Sequence, residues 1–73
     1  MATKNMTTAQ RIGEKIRAIR KEKDMSRAEL AKRIGKLQSQ VSEWETGFAE
    51  PQVATLLAIA TALKVDVGQL LAR

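Results

Sequence analysis

The sequence has no cysteine, no histidine and no tyrosine, and only one tryptophan, one phenylalanine and one proline among its 73 residues. Without thiols or imidazoles there can be no disulfide, no zinc held by thiolate or imidazole, no cysteine nucleophile and no histidine acid–base catalyst. The redox compartment stays open, because an absence of cysteine fits any of them. No two carboxylates form a convincing catalytic pair and no hydroxyl has a base set beside it. The chain is therefore not expected to be an enzyme, and neither a metal nor a cofactor is implied. Long apolar runs are missing too. The longest uncharged apolar stretch, Val53 to Leu63, has eleven residues, against roughly 20 needed to span a bilayer. The first eight residues are polar and lack the apolar core of an export signal, so a cytoplasmic protein that does not enter membranes is expected.

What the sequence does hold is an ordinary globular mixture, 44% hydrophobic and 29% charged, without repeats or low-complexity tracts. The length suits one domain, read as residues 9–73 behind a disordered tail of residues 1–8. The net charge of +5 is unevenly placed. Met1 to Lys36 carries eleven basic and four acidic residues, a surplus of seven, whereas Leu37 to Arg73 carries two basic and four acidic residues. Basicity gathered at one end suits a polyanion, nucleic acid or anionic membrane, although a solvated basic face would look the same.

Alternating strand patterns are absent and the punctuation is helical. Ile12, Ile16 and Ile19 recur at i, i+4 and i+7, predicting a first helix over about Thr8 to Lys23, ended by Asp24, which tolerates the left-handed turn. Ser26 and Glu29 form a capping-box pattern for a second helix, which carries Leu30, Ala31 and Ile34 inward and stops at Gly35. A third helix follows at once. Its apolar stripe is Leu37, Val41 and Trp44, and Gln38, Ser39, Ser42 and Glu43 occupy the opposite arc, so one face is dry and the other hydrogen-bonding. Gly47 closes it. Beyond Phe48, Glu50 and Pro51, a fourth helix near Gln52 to Leu63 is expected to bury Val53, Leu56, Leu57, Ala60 and Leu63. Asp66 and Gln69 suggest a cap for a short last helix with Val67, Leu70 and Leu71 as its apolar residues. The fold class is all-α, a compact five-helix bundle.

A capped helix, a tight glycine turn and a helix with one polar face is the helix-turn-helix pattern. A major groove about 12 Å wide admits one such helix. Arg27, in the first turn of the preceding helix, would act on the same anion as that helix's dipole. The chain resembles the Cro/cI-repressor (XRE-like) helix-turn-helix family over about Ile12 to Leu71. The segments that carry the likeness are Ile12 to Lys21, Met25 to Gly35, Gln38 to Gly47, Pro51 and Leu56 to Leu63.

The resemblance implies a lambda-repressor-like DNA-binding domain, commonly a homodimer on operator DNA, acting as a repressor that occludes a promoter. It implies that Gln38, Ser39, Ser42 and Glu43 meet base edges and that Arg27, Lys36, Gln40 and Thr46 meet the DNA backbone. It also implies that Arg20 and Glu45 form an internal ion pair. Gln38 could pair with adenine in two hydrogen bonds, and Glu43 could accept from a cytosine amino group. Trp44 is read as core. No metal or cofactor follows, and the location would be the nucleoid in the cytoplasm.

Three features depart from the family's habit. Leu37 stands where Ser or Thr usually caps the recognition helix, which forgoes about 1 kcal/mol unless the backbone register shifts. The loop after Gly47 has Glu50 where basic residues are common. The fourth helix has no charge from Val53 to Leu63, and its outer arc, together with Val65, Val67 and Leu70, could be covered by a second subunit or another protein. Ala58, Thr61, Val65, Val67 and Leu70 are the candidate interface residues. The rival reading is an antitoxin-like interaction module whose main ligand is a partner protein, with DNA binding kept for autoregulation.

Overall fold

Five helices run along residues 6–72, the part of the chain that the computed structural model describes: α1 (Thr8–Glu22), α2 (Arg27–Ile34), α3 (Gln38–Thr46), α4 (Val53–Leu63) and α5 (Val67–Leu71). No strand occurs among the described residues. The first five positions of the expected N-terminal tail lie outside them. Thr7, which the sequence reading assigned to that tail, caps α1 instead, and Thr8 starts the helix where the apolar period placed it. The Thr7 hydroxyl accepts the Gln10 amide at 3.0 Å, and the Gln10 side-chain oxygen accepts the Thr7 amide at 2.9 Å. This closes a reciprocal cap.

The first four helices stop in the same way. At each end a residue enters the left-handed region and two amides fold back on the last turn, as in a Schellman motif. At α1 Met25 donates to the Arg20 carbonyl, at α2 Lys36 to Ala31, at α3 Phe48 to Glu43 and at α4 Val65 to Ala60, over 2.9 to 3.0 Å. The left-handed residues are Asp24 (φ 54°), Gly35 (69°), Gly47 (80°) and Lys64 (60°). Two of the four are therefore not glycine, and Lys64 adopts a conformation that disfavours side chains with a Cβ. Ser26 accepts the Glu29 amide at 3.0 Å, but Glu29 reaches forward to Arg33 at 2.8 Å, so only half of the expected box forms. At α5 the bond observed is the Asp66 amide to Gln69 Oε1 at 3.2 Å.

One core joins the helices: Ile12 and Ile16, Met25, Leu30 and Ala31, Val41 and Trp44, Leu56, Ile59, Ala60 and Leu63, and Leu70. The core side of α4 differs from the sequence expectation. Its buried residues follow i, i+3, i+4, i+7 from Leu56 through Ile59 and Ala60 to Leu63, which turns Val53 and Leu57 outward to 72% and 51% exposure. Leu71 is likewise half exposed. α1 lies directly against α3, and α2 and α5 fill in beside α4 and α1. Gly13 permits the α1–α3 approach: a Cβ there would sit 2.0 Å from the Trp44 carbonyl oxygen and 2.9 Å from that of Glu45.

Candidate nucleic-acid interface

α2, the turn at Gly35 and α3 make the helix-turn-helix, and α3 is held from behind. Val41 and Trp44 seat its inner face in the core. Beside them Glu45, with a side chain 1% exposed, receives two arginines. Arg20 from α1 meets it in two bonds, Nε to Oε2 at 2.6 Å and Nη2 to Oε1 at 3.1 Å, and its Nη1 donates to the Met25 carbonyl at 2.7 Å. Arg27, the first residue of α2, donates from Nε to Oε1 at 2.9 Å. One buried carboxylate thus ties α1, the start of α2 and the end of α3 together through directional bonds. No buried side-chain nitrogen or oxygen among the described residues lacks a partner.

The outer face of α3 has the opposite character. Gln38, Ser39 and Glu43 are exposed and Ser42 is half-buried. Among the described residues none of these four side chains makes a hydrogen bond within the chain. Four polar side chains without intrachain partners on one helix face keep their donors and acceptors available to base edges.

The residues expected to meet phosphate stand differently from one another. Lys36 is exposed just after the Gly35 turn. Arg27 uses only Nε on Glu45, and its side chain remains 39% exposed, so its Nη groups can still donate to an anion. Gln40 gives its oxygen to the Leu37 amide at 2.9 Å, which leaves its NH₂ as the donor. The Thr46 hydroxyl donates to the Glu43 carbonyl at 3.2 Å. Glu50 shares a shallow cleft with Lys36 and Gln40 and lowers the positive potential there.

Several sequence expectations are corrected. Leu37 does not complete an apolar stripe: it is the N-cap of α3, with extended backbone (φ −88°, ψ 149°) and 67% exposure. The helical 100° step does not reach a residue outside the helix. Leu37 has no side-chain group to accept an α3 amide, and only the reverse bond, from the Leu37 amide to Gln40 Oε1, is made there. Leu70 cannot contact a partner because it is fully buried in the chain's own core. Val65 and Val67 are half-buried against that core, and the Thr61 hydroxyl donates to the Leu57 carbonyl at 3.0 Å. The sequence reading also missed Arg27 as a partner of Glu45, the Thr7–Gln10 cap and the Gly13 approach. Thr7 followed by Gln10, and a glycine inside an apolar helix pattern, were signals for the last two.

Comparison with known proteins agrees with this architecture. The helix-turn-helix family model matches residues 16–70. The chain is 39% identical over 62 residues to repressor protein C2 of Salmonella phage P22, covering 85% of this chain and 29% of that protein. It spans about three-tenths of the length of the curated relatives it matches. The crystal structure of the P22 c2 repressor with a synthetic operator superposes with a TM-score of 0.78 at 38% identity, covering 82% of this chain and 91% of that one. The restriction-modification controller protein C.AhdI of Aeromonas hydrophila superposes at 0.82 with 29% identity, over 85% and 94% of the two chains. The chain belongs to the helix-turn-helix family, of the Cro/cI-repressor (XRE-like) type.

Proposed function

We propose that the chain binds double-stranded DNA in a sequence-specific manner and regulates transcription, as a repressor that occupies a promoter. The carrying observation is the outer face of α3, with four polar side chains that have no partner among the described residues, on a helix fixed from behind by Glu45. Gln38, Ser39, Ser42 and Glu43 read bases. Arg27, Lys36 and Gln40 set the register on phosphates, with Thr46 joining them if its hydroxyl rotates away from the Glu43 carbonyl. The synthetic operator bound by the P22 c2 repressor supports the same reading here. A two-fold dimer would place two α3 helices in successive major grooves about 34 Å apart.

Selection of bound duplexes from a random pool defines the preferred site. Gln38→Ala and Glu43→Ala should then alter preference at individual base pairs by about 1–3 kcal/mol with thermal stability nearly unchanged. Lower melting temperatures with the same preference would overturn the groove assignment. Arg27→Ala should reduce the slope of binding against salt by about one. An unaltered slope would remove Arg27 from the phosphate contacts.

A further inference from the structure

Trp44 packs in the core as an apolar residue, yet it leaves one donor unused. Its side chain is nearly buried, at 6% exposure, and its indole N–H makes no hydrogen bond among the described residues. No sealed side-chain nitrogen among those residues lacks a partner, so this N–H reaches the surface. Trp44 lines the cleft of about 260 Å³ bounded by Lys36, α3 and the start of α4. The same cleft collects further donors. Lys36 brings an ammonium, and Gln40 brings the NH₂ group that its bond to Leu37 leaves free. α4 starts at Gln52, whose side chain caps nothing. The amides of Val53, Ala54 and Thr55 have no acceptor among the described residues, as at any helix start without a cap. The acid in the cleft lining is Glu50.

An ammonium, an indole N–H and backbone amides donate and cannot accept. A base-pair edge presents donors as well as acceptors, so this set suits an acceptor-only group, an oxyanion of the phosphate class. We propose that the cleft is a phosphate seat with the Trp44 N–H as its inner donor, and that Glu50 limits how tightly it binds. The inference rests on the DNA reading above for the source of the phosphate. On a 100° step, Gln40 and Trp44 border the polar arc of α3 on one flank, and Glu45, which holds Arg27, borders it on the other. Two strands edge a major groove, so a helix lying in it has phosphates on both flanks. Arg27 serves one flank and this cleft the other. Glu50 makes the two unequal. A carboxylate about 6 Å from a phosphate, at an effective dielectric between about 20 and about 80, weakens binding by about threefold to about a hundredfold. The sequence-independent part of the affinity, which phosphates supply, is lowered accordingly.

The chain has one tryptophan, so a single indole N–H signal reports on the seat in the full nitrogen-15-labelled protein. A bound duplex should shift that signal and slow its exchange with water at least about threefold. Glu50→Gln, at an exposed position, should melt as the parent does, bind the same duplex at least about threefold tighter and steepen the salt dependence. Inorganic phosphate separates the seat from the DNA reading. Titrated to about 100 mM into the Glu50→Gln protein without DNA, it should shift the indole signal, whereas chloride at equal ionic strength should not. An indole signal that stays in place while duplex moves the α3 amides, or that ignores phosphate in Glu50→Gln, would overturn the seat. Equal duplex affinity of parent and Glu50→Gln would overturn the role of Glu50. Phosphate that moves the indole in a protein that binds no duplex would uphold the seat and sink the DNA reading instead.

Discussion

α3 and α4 are of similar length, and each turns one side to the core, yet they are seated by different forces. α4 is held by apolar packing through Leu56, Ile59, Ala60 and Leu63, which has no preferred direction. α3 buries Val41 and Trp44 but adds Glu45, fixed by Arg20 and Arg27 at 2.6 to 3.1 Å. Directional bonds fix the rotation of α3 and with it which side chains its outer face presents. Their outer faces differ in the same sense, one of hydrogen-bonding groups and one without charge. The contrast shows a small domain seating one helix with a buried ion cluster and the other with hydrocarbon.

Substitutions on the two seats put that contrast at risk, and the largest effect is expected on α3. Glu45→Ala strands the buried Arg20 guanidinium and should cost about 3–5 kcal/mol in urea unfolding; a loss under about 1 kcal/mol would show that the cluster does not seat α3. Ile59→Ala removes a fully buried side chain from α4 and should cost about 2–5 kcal/mol. Base preference in the Ile59→Ala protein, measured where it is still folded, should stay as in the parent. A changed preference would mean that α4 packing orients α3 after all.

The helix ends give the smaller effects, this time as gains. Leu37→Ser supplies the missing cap at α3 and should add about 1 kcal/mol. Lys64→Gly relieves the left-handed residue after α4 and should add less than about 1 kcal/mol. Thermal melts of both proteins would sharpen the comparison, and a loss at Leu37→Ser would show that its exposed side chain contributes to stability.

The legible parts of the fold were those written in local chemistry. Ser26, Asp24, Gly35 and Gly47 mark helix ends because caps and left-handed turns favour such residues. The phase of α4 was not legible. Eleven uncharged residues give no contrast between a wet and a dry side, so Ile59 was passed over and Val53 and Leu57 were placed inward. Lys64 gave no sign of its left-handed turn, because a lysine side chain does not favour that conformation and the turn shows only in the return of the Val65 amide to the Ala60 carbonyl. At the candidate interface, the polar arc of α3 was plain from spacing alone. The link from Arg27 to Glu45 spans 18 residues and exists only once α2 and α3 are packed. Leu37 was misread because the helical period was carried one residue past the start of the helix.

The central claim, that the outer face of α3 enters the groove of duplex DNA, is tested most directly by nuclear magnetic resonance. Nitrogen-15-labelled chain would be titrated with a duplex chosen by selection. The largest amide shifts should fall on Gln38, Ser39, Ser42 and Glu43, with smaller ones at Arg27 and Lys36. Shifts confined to α4 or α5, with α3 silent at saturation, would contradict the claim.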